Sequence, residues 1–121
     1  MTLPSDQSIA IIDDSASVRR SLESLLRSLG FTVASFESAQ AFLAAGKRVS
    51  CVVTDVEMPG MTGIDLYEAM RAGRDTTPVI FITAASEQQV RQRLGSELCV
   101  LGKPFEASDL TACIHRAISQ R

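Results

Sequence analysis

Short, strongly apolar runs recur along the chain, and the stretches between them keep their apolar residues at helical spacing. A run that stays apolar at consecutive positions belongs to a strand buried on both faces, because a strand with one wet face alternates. Ser8-Ile-Ala-Ile-Ile12 is the first such run. Phe31 to Phe36, alternating apolar and small polar residues, reads as the second strand, and Val49 to Thr54 as the third. Pro78-Val-Ile-Phe-Ile82 is the fourth, opened by a proline that can only begin a strand. Leu98 to Leu101 is a short fifth.

Between these runs, Val18, Leu22, Leu25, Leu26 and Leu29 fall on one helical face that Gly30 terminates. Ser38 caps a short helix through Leu43 and Ala44, ended by Gly46. Met58-Pro-Gly-Met-Thr-Gly63 is a loop, broken by Pro59 and two glycines, and a helix from about Ile64 to Ala72 follows it. Glu87 to Leu94 has a meagre apolar face, Val90 and Leu94, whereas Ala107 to Ser119 lines up Leu110, Ile114, Ala117 and Ile118. Strands alternating with helices predict an α/β fold, a parallel sheet covered on both faces. Right-handed crossovers leave few topologies, and the flavodoxin-like (βα)5 arrangement with strand order 2-1-3-4-5 is the natural one here. The 121 residues are expected to form a single domain, 1–121.

Lys plus Arg number 12 against 14 for Asp plus Glu, so the chain carries no excess of positive charge for the phosphates of a nucleic acid. No segment approaches the roughly 18 consecutive apolar residues of a membrane span. The start, MTLPSDQS, lacks the basic and apolar regions of a secretory signal. Cys51, Cys99 and Cys113 have no CxxC spacing and sit among apolar residues, so all three read as small buried thiols. A cytoplasmic location is expected from these features together.

Polar residues follow the apolar runs in a pattern that carries chemistry. Asp13 and Asp14 come after the first strand, Asp55 after the third, Thr83 after the fourth and Lys103 after the fifth. In an open parallel sheet, ligands bind outside the carboxyl ends of the strands, where the strand order reverses, here between strands one and three. Three carboxylates gathered there require a proton or a cation among them. Hard oxygen donors without His or Cys suit Mg²⁺. A metal, an ammonium, a hydroxyl and a nucleophilic carboxylate together fit phosphoryl transfer onto that carboxylate. Taken alone, Asp13 and Asp14 could equally be an acidic turn capping the first helix. His115, between Ile114 and Arg116, reads as a surface helical residue. Arg71, Arg74, Arg91 and Arg93 read as a solvated face, Arg91 and Arg93 within reach of a partner, and Met58 and Met61 as loop packing.

IIDDS (Ile11 to Ser15), VTDVEMPGMTG (Val53 to Gly63), VIFITA (Val79 to Ala84) and GKPF (Gly102 to Phe105) resemble, in this order, the motifs of two-component response-regulator receiver domains. The resemblance implies that Asp55 accepts a phosphoryl group from the phosphohistidine of a sensor histidine kinase or phosphotransfer protein. It implies that Asp14, Asp55 and the main-chain carbonyl of Glu57 hold Mg²⁺, with Asp13 acting directly or through water. Lys103 would pair with the phosphoryl group, and its bond to Pro104 would be cis. Thr83 would hydrogen-bond the phosphoryl group and draw its loop inward, shifting the surface around helix 4, strand 5 and helix 5. Ala84 would leave the phosphate reachable.

A receiver catalyses only its own phosphorylation and dephosphorylation and binds no nucleic acid itself. The DVEMPGMTG style resembles receivers joined to helix-turn-helix output domains, hence transcription regulation. Two features depart from the pattern. Val100 stands where receivers carry a switching Tyr or Phe, and the stretch from Thr83 to Lys103 is slightly short, with a weak helical face.

Competing readings make different demands. A flavin module would need a Ser/Thr- and Gly-rich loop where Asp13-Asp14-Ser15 stands. An aspartyl phosphatase would put its nucleophile after the first strand and carry a cap domain. Gly46-Lys47 lacks the rest of a P-loop. A degenerate receiver acting as a phosphorylation-independent interaction module would have lost part of the five-residue set, which is complete here.

Overall fold

A computed structural model of the chain describes residues 7–85, 87–95 and 98–119; residues 1–6 of the amino-terminal stretch lie outside the described residues. In chain order the elements are β1 (Ser8–Ile12), α1 (Ala16–Ser28), β2 (Thr32–Phe36), α2 (Ala39–Ala45), β3 (Cys51–Asp55), α3 (Gly63–Ala72), β4 (Val79–Thr83), α4 (Glu87–Leu94), β5 (Cys99–Gly102) and α5 (Ala107–Ser119). The five strands form one parallel sheet in the order β2-β1-β3-β4-β5. This is the flavodoxin-like topology expected from the alternation of patterns.

Side chains alternate across each strand, so consecutive apolar residues feed two cores. Ile9, Ile11, Val53, Ile80 and Ile82 pack with Leu22 and Leu26 of α1 and Leu110 and Ile114 of α5. Ala10, Ile12, Val52 and Phe81 face the other way, against Phe42 of α2, Leu66 and Met70 of α3 and Val90 of α4. Fully burying an isoleucine or phenylalanine side chain is worth about 1.5–3 kcal/mol, which is why the strands carry the least polar sequence in the chain.

Strand ends shift from the sequence expectation by one or two residues, and the shift matters. β3 runs on to Asp55 and β4 to Thr83, whose ladder partners are Ile82 and Gly102 respectively. These polar residues are therefore members of the ladder itself, held by backbone bonds rather than carried on loops. Helix starts follow local chemistry: Ser38 accepts from the Ala41 N–H at 3.0 Å. At α3, the Thr62 hydroxyl accepts from the Asp65 N–H, and the Asp65 carboxylate accepts from the Thr62 N–H, each at 3.1 Å. That reciprocal pair holds the Asp65 carboxyl below the ordinary carboxylate range, chiefly through the Thr62 N–H.

The cysteine expectation needs correction. Cys99 on β5 and Cys113 on α5 form a disulfide, their Cα atoms 6.4 Å apart, and only Cys51 matches the expected buried thiol. Packing of α5 beside β5 brings the pair together, and linear spacing gives no sign of it. Cysteine usage consequently no longer argues for a reducing compartment. Among the described residues, no helix is long and apolar enough to cross a membrane.

Candidate functional site

Asp13 leaves β1 with its N–H bonded to the Phe36 carbonyl at 3.2 Å, which extends the β1–β2 ladder by one residue. Its carbonyl accepts from the Arg19 guanidinium at 2.6 Å, and its carboxylate accepts from the Ser15 N–H at 2.9 Å. The side chain is nearly sealed, 1% exposed, whereas neighbouring Asp14 is open to solvent. Ser15 is the N-cap of α1, its hydroxyl accepting from the Val18 N–H. Ser15 is thus the N-cap, and Asp13, although its carboxylate accepts from the Ser15 N–H, is not the residue that caps α1.

Asp55 ends β3 at 6% exposed. The next residue, Val56, donates its N–H to the Ile82 carbonyl and accepts from the Gly63 N–H, each at 2.9 Å. Gly63 begins α3 directly against this backbone. A Cβ there would collide with the Asp55 carbonyl oxygen and come within 3.1 Å of the Val56 Cα, so only glycine lets α3 start where it does. Gly63 is therefore the first residue of α3 and not only the end of the preceding loop. A glycine following a capping threonine, at a helix start rather than its end, was the available sign of a close approach.

One carboxylate oxygen from each of Asp13, Asp14 and Asp55 lies within 4.8 Å of the others. The Lys103 ammonium reaches into this group, 3.3 Å from Asp13 Oδ2 and 3.5 Å from Asp55 Oδ2. Burial raises the Asp55 carboxyl above its ordinary range; Lys103 pulls it down, Asp13 pushes it up, and the upward effects prevail. A converging set of three carboxylates, without sulfur or imidazole donors, fits a hard divalent cation.

The remaining site residues take up defined places. Thr83 is fully buried; its carbonyl accepts from the Lys103 N–H at 2.7 Å, which ties the ends of β4 and β5 together. Its hydroxyl accepts from the Ala85 N–H at 3.0 Å, leaving its own O–H to donate elsewhere. Ala84 is exposed beside it. The Lys103–Pro104 peptide is cis, as the resemblance implies, with Pro104 exposed. The Glu57 side chain points to solvent while its N–H approaches Asp55 Oδ1 at 3.4 Å. Val100 is fully buried in the core on the Phe81 side of the sheet. The structure thus joins Asp13, Asp14, Asp55 and Lys103 in direct reach, with Thr83 linked to them through backbone.

A parallel five-stranded sheet with an acidic cluster and a lysine at its carboxyl edge defines a receiver. The family model described as response regulator receiver domain matches residues 9–115, and the chain belongs to that family. The transcriptional regulatory protein FixJ of Bradyrhizobium diazoefficiens is 44% identical over 117 residues, covering 93% of this chain and 57% of that protein. The crystal structure of FixJ-N superposes with a TM-score of 0.84 at 32% identity, covering 96% of each chain. Full-length FixJ from B. japonicum gives 0.81 at 42% identity, covering 94% of this chain and 58% of that one. The chain spans about half the length of the curated relatives it matches.

Proposed function

We propose that Asp55 is the phosphoryl acceptor of this receiver, charged by the phosphohistidine of a sensor histidine kinase or phosphotransfer protein. A carboxylate oxygen of Asp55 bonds to phosphorus as the phosphorus–nitrogen bond breaks, and the imidazole leaves with the electron pair. Asp13, Asp14, Asp55 and the Glu57 carbonyl are the groups to hold Mg²⁺, which supplies neutralisation of phosphoryl oxygen charge when bound. Lys103, already between Asp13 and Asp55, exchanges a carboxylate partner for a phosphoryl oxygen. Thr83 donates its hydroxyl proton to another, and exposed Ala84 leaves room for the donor.

In this reading residues 1–121 are one domain acting in the cytoplasm, turning over no substrate beyond its own phosphorylation and dephosphorylation. It passes the signal to an output domain or downstream protein that regulates transcription, as the names of its relatives suggest. The observation that carries the reading is that Asp55, buried at the end of β3, belongs to the acidic cluster and lies 3.5 Å from the Lys103 ammonium. A complete set argues against a phosphorylation-independent module.

Asp55→Asn should abolish labelling by acetyl phosphate in Mg²⁺ buffer; undiminished labelling would overturn the assignment. The same variant tests the electrostatics. A carboxyl whose folded pKa is raised contributes stability below its unfolded pKa and loses it as pH rises through the folded one. Without metal at neutral pH, Asp55→Asn should therefore melt a few degrees above the parent, and the gain should vanish in acid. Mg²⁺ should raise the melting temperature of the parent more than that of the variant.

A further inference from the structure

β5 is the outer strand of the sheet beside β4. The Lys103 N–H points inward to the Thr83 carbonyl, so residues of the other parity, Leu98, Val100 and Gly102, turn their backbone groups outward. An exposed row of this kind is a template for another strand unless something covers it. Here α4 covers it with two side chains. The Arg91 guanidinium donates to the Leu98 carbonyl at 3.2 Å and to the Val100 carbonyl at 3.1 Å. The Glu87 carboxylate accepts from the Gly102 N–H at 2.9 Å.

Glu87 and Arg91 are four residues apart and share a helical face. Together they satisfy three outward groups, as a sixth strand would. A Cβ at residue 102 would lie 2.8 Å from Glu87 Oε1, so glycine lets the carboxylate sit where it does without shifting. The apolar hold of α4 is slight by comparison, with Val90 its one buried residue.

Both ends of this clamp meet residues that matter for signalling. Gly102 precedes Lys103 and pairs with Thr83; Val100 occupies the position of the missing aromatic. We propose that the Glu87–Arg91 clamp couples the Asp55 site to the α4–β5–α5 surface, holding α4 in the resting position and opening on phosphorylation. This rests on the acceptor reading given above. Thr83 lies four positions before Glu87, so drawing the loop toward a phosphoryl group pulls the first turn of α4. A hydrogen bond is lost once its geometry is stretched beyond a narrow range, whereas apolar packing slides. The clamp therefore gives a two-position response that Val100 cannot supply by rotation.

The test compares binding of beryllofluoride with Mg²⁺ in the parent and in Glu87→Ala, Arg91→Ala and Glu87→Gln. If the clamp exists only at rest, each alanine variant should bind beryllofluoride about 3- to 10-fold tighter, and Glu87→Gln, which keeps an acceptor, should stay near the parent. In the parent, the outward Gly102 amide should be protected from hydrogen exchange and lose that protection on adding beryllofluoride. Arg91→Lys, which reaches fewer carbonyls, substitutes if Arg91→Ala does not fold. Unchanged or weaker binding in the alanine variants, with acetyl phosphate labelling intact, overturns the clamp alone. Absence of both labelling and beryllofluoride binding in the parent overturns the acceptor reading, and the clamp's role with it.

Discussion

α4 and α5 flank the same edge strand and are attached by opposite means. α5 buries Leu110, Cys113 and Ile114 and is joined to β5 through Cys99–Cys113. α4 buries Val90 and otherwise grips β5 through Glu87 and Arg91. Apolar burial is non-directional and tolerates small displacements, while side-chain bonds to backbone groups hold or release. The contrast shows how one strand can have a fixed neighbour on one side and a releasable one on the other, with the phosphoryl site at its end.

Substitutions can break this comparison at several strengths. Leu110→Ala, at a fully buried position, should cost about 3 kcal/mol in urea unfolding, because the removed methyl groups leave a cavity under α5. Reduction of Cys99–Cys113 by a dithiol should cost up to about 3 kcal/mol for a loop closed over 14 residues, and should accelerate amide exchange in α5 more than in α4. Val90→Ala should cost only about 1–2 kcal/mol, since two methyl groups are lost from a helix that little apolar packing retains. If Val90→Ala proved as costly as Leu110→Ala, the two helices would be anchored alike and α4 would not be the releasable one.

Much of this architecture was legible beforehand because it is local. Ser38 and Gly46 bound α2 by cap chemistry, and uninterrupted runs such as Ile9–Ile12 and Val79–Ile82 can only be strands with both faces covered. The site was legible for a related reason: Asp13, Asp55, Thr83 and Lys103 each follow an apolar run, and parallel strands bring such ends to one edge. Boundaries were less clear, since whether Asp55 and Thr83 lie within strands depends on ladder partners elsewhere in the chain.

Residue order by itself determined the strand–helix alternation, the covered parallel sheet and the gathering of carboxylates with a lysine, because burial periodicity and strand-end position are properties of neighbouring residues. Only the tertiary structure decided that Cys99 meets Cys113, that Gly63 must clear the Asp55 backbone and that Arg91 leaves the solvated face to grip β5. Those outcomes depend on the distance between elements remote in sequence, which packing sets and no local pattern encodes.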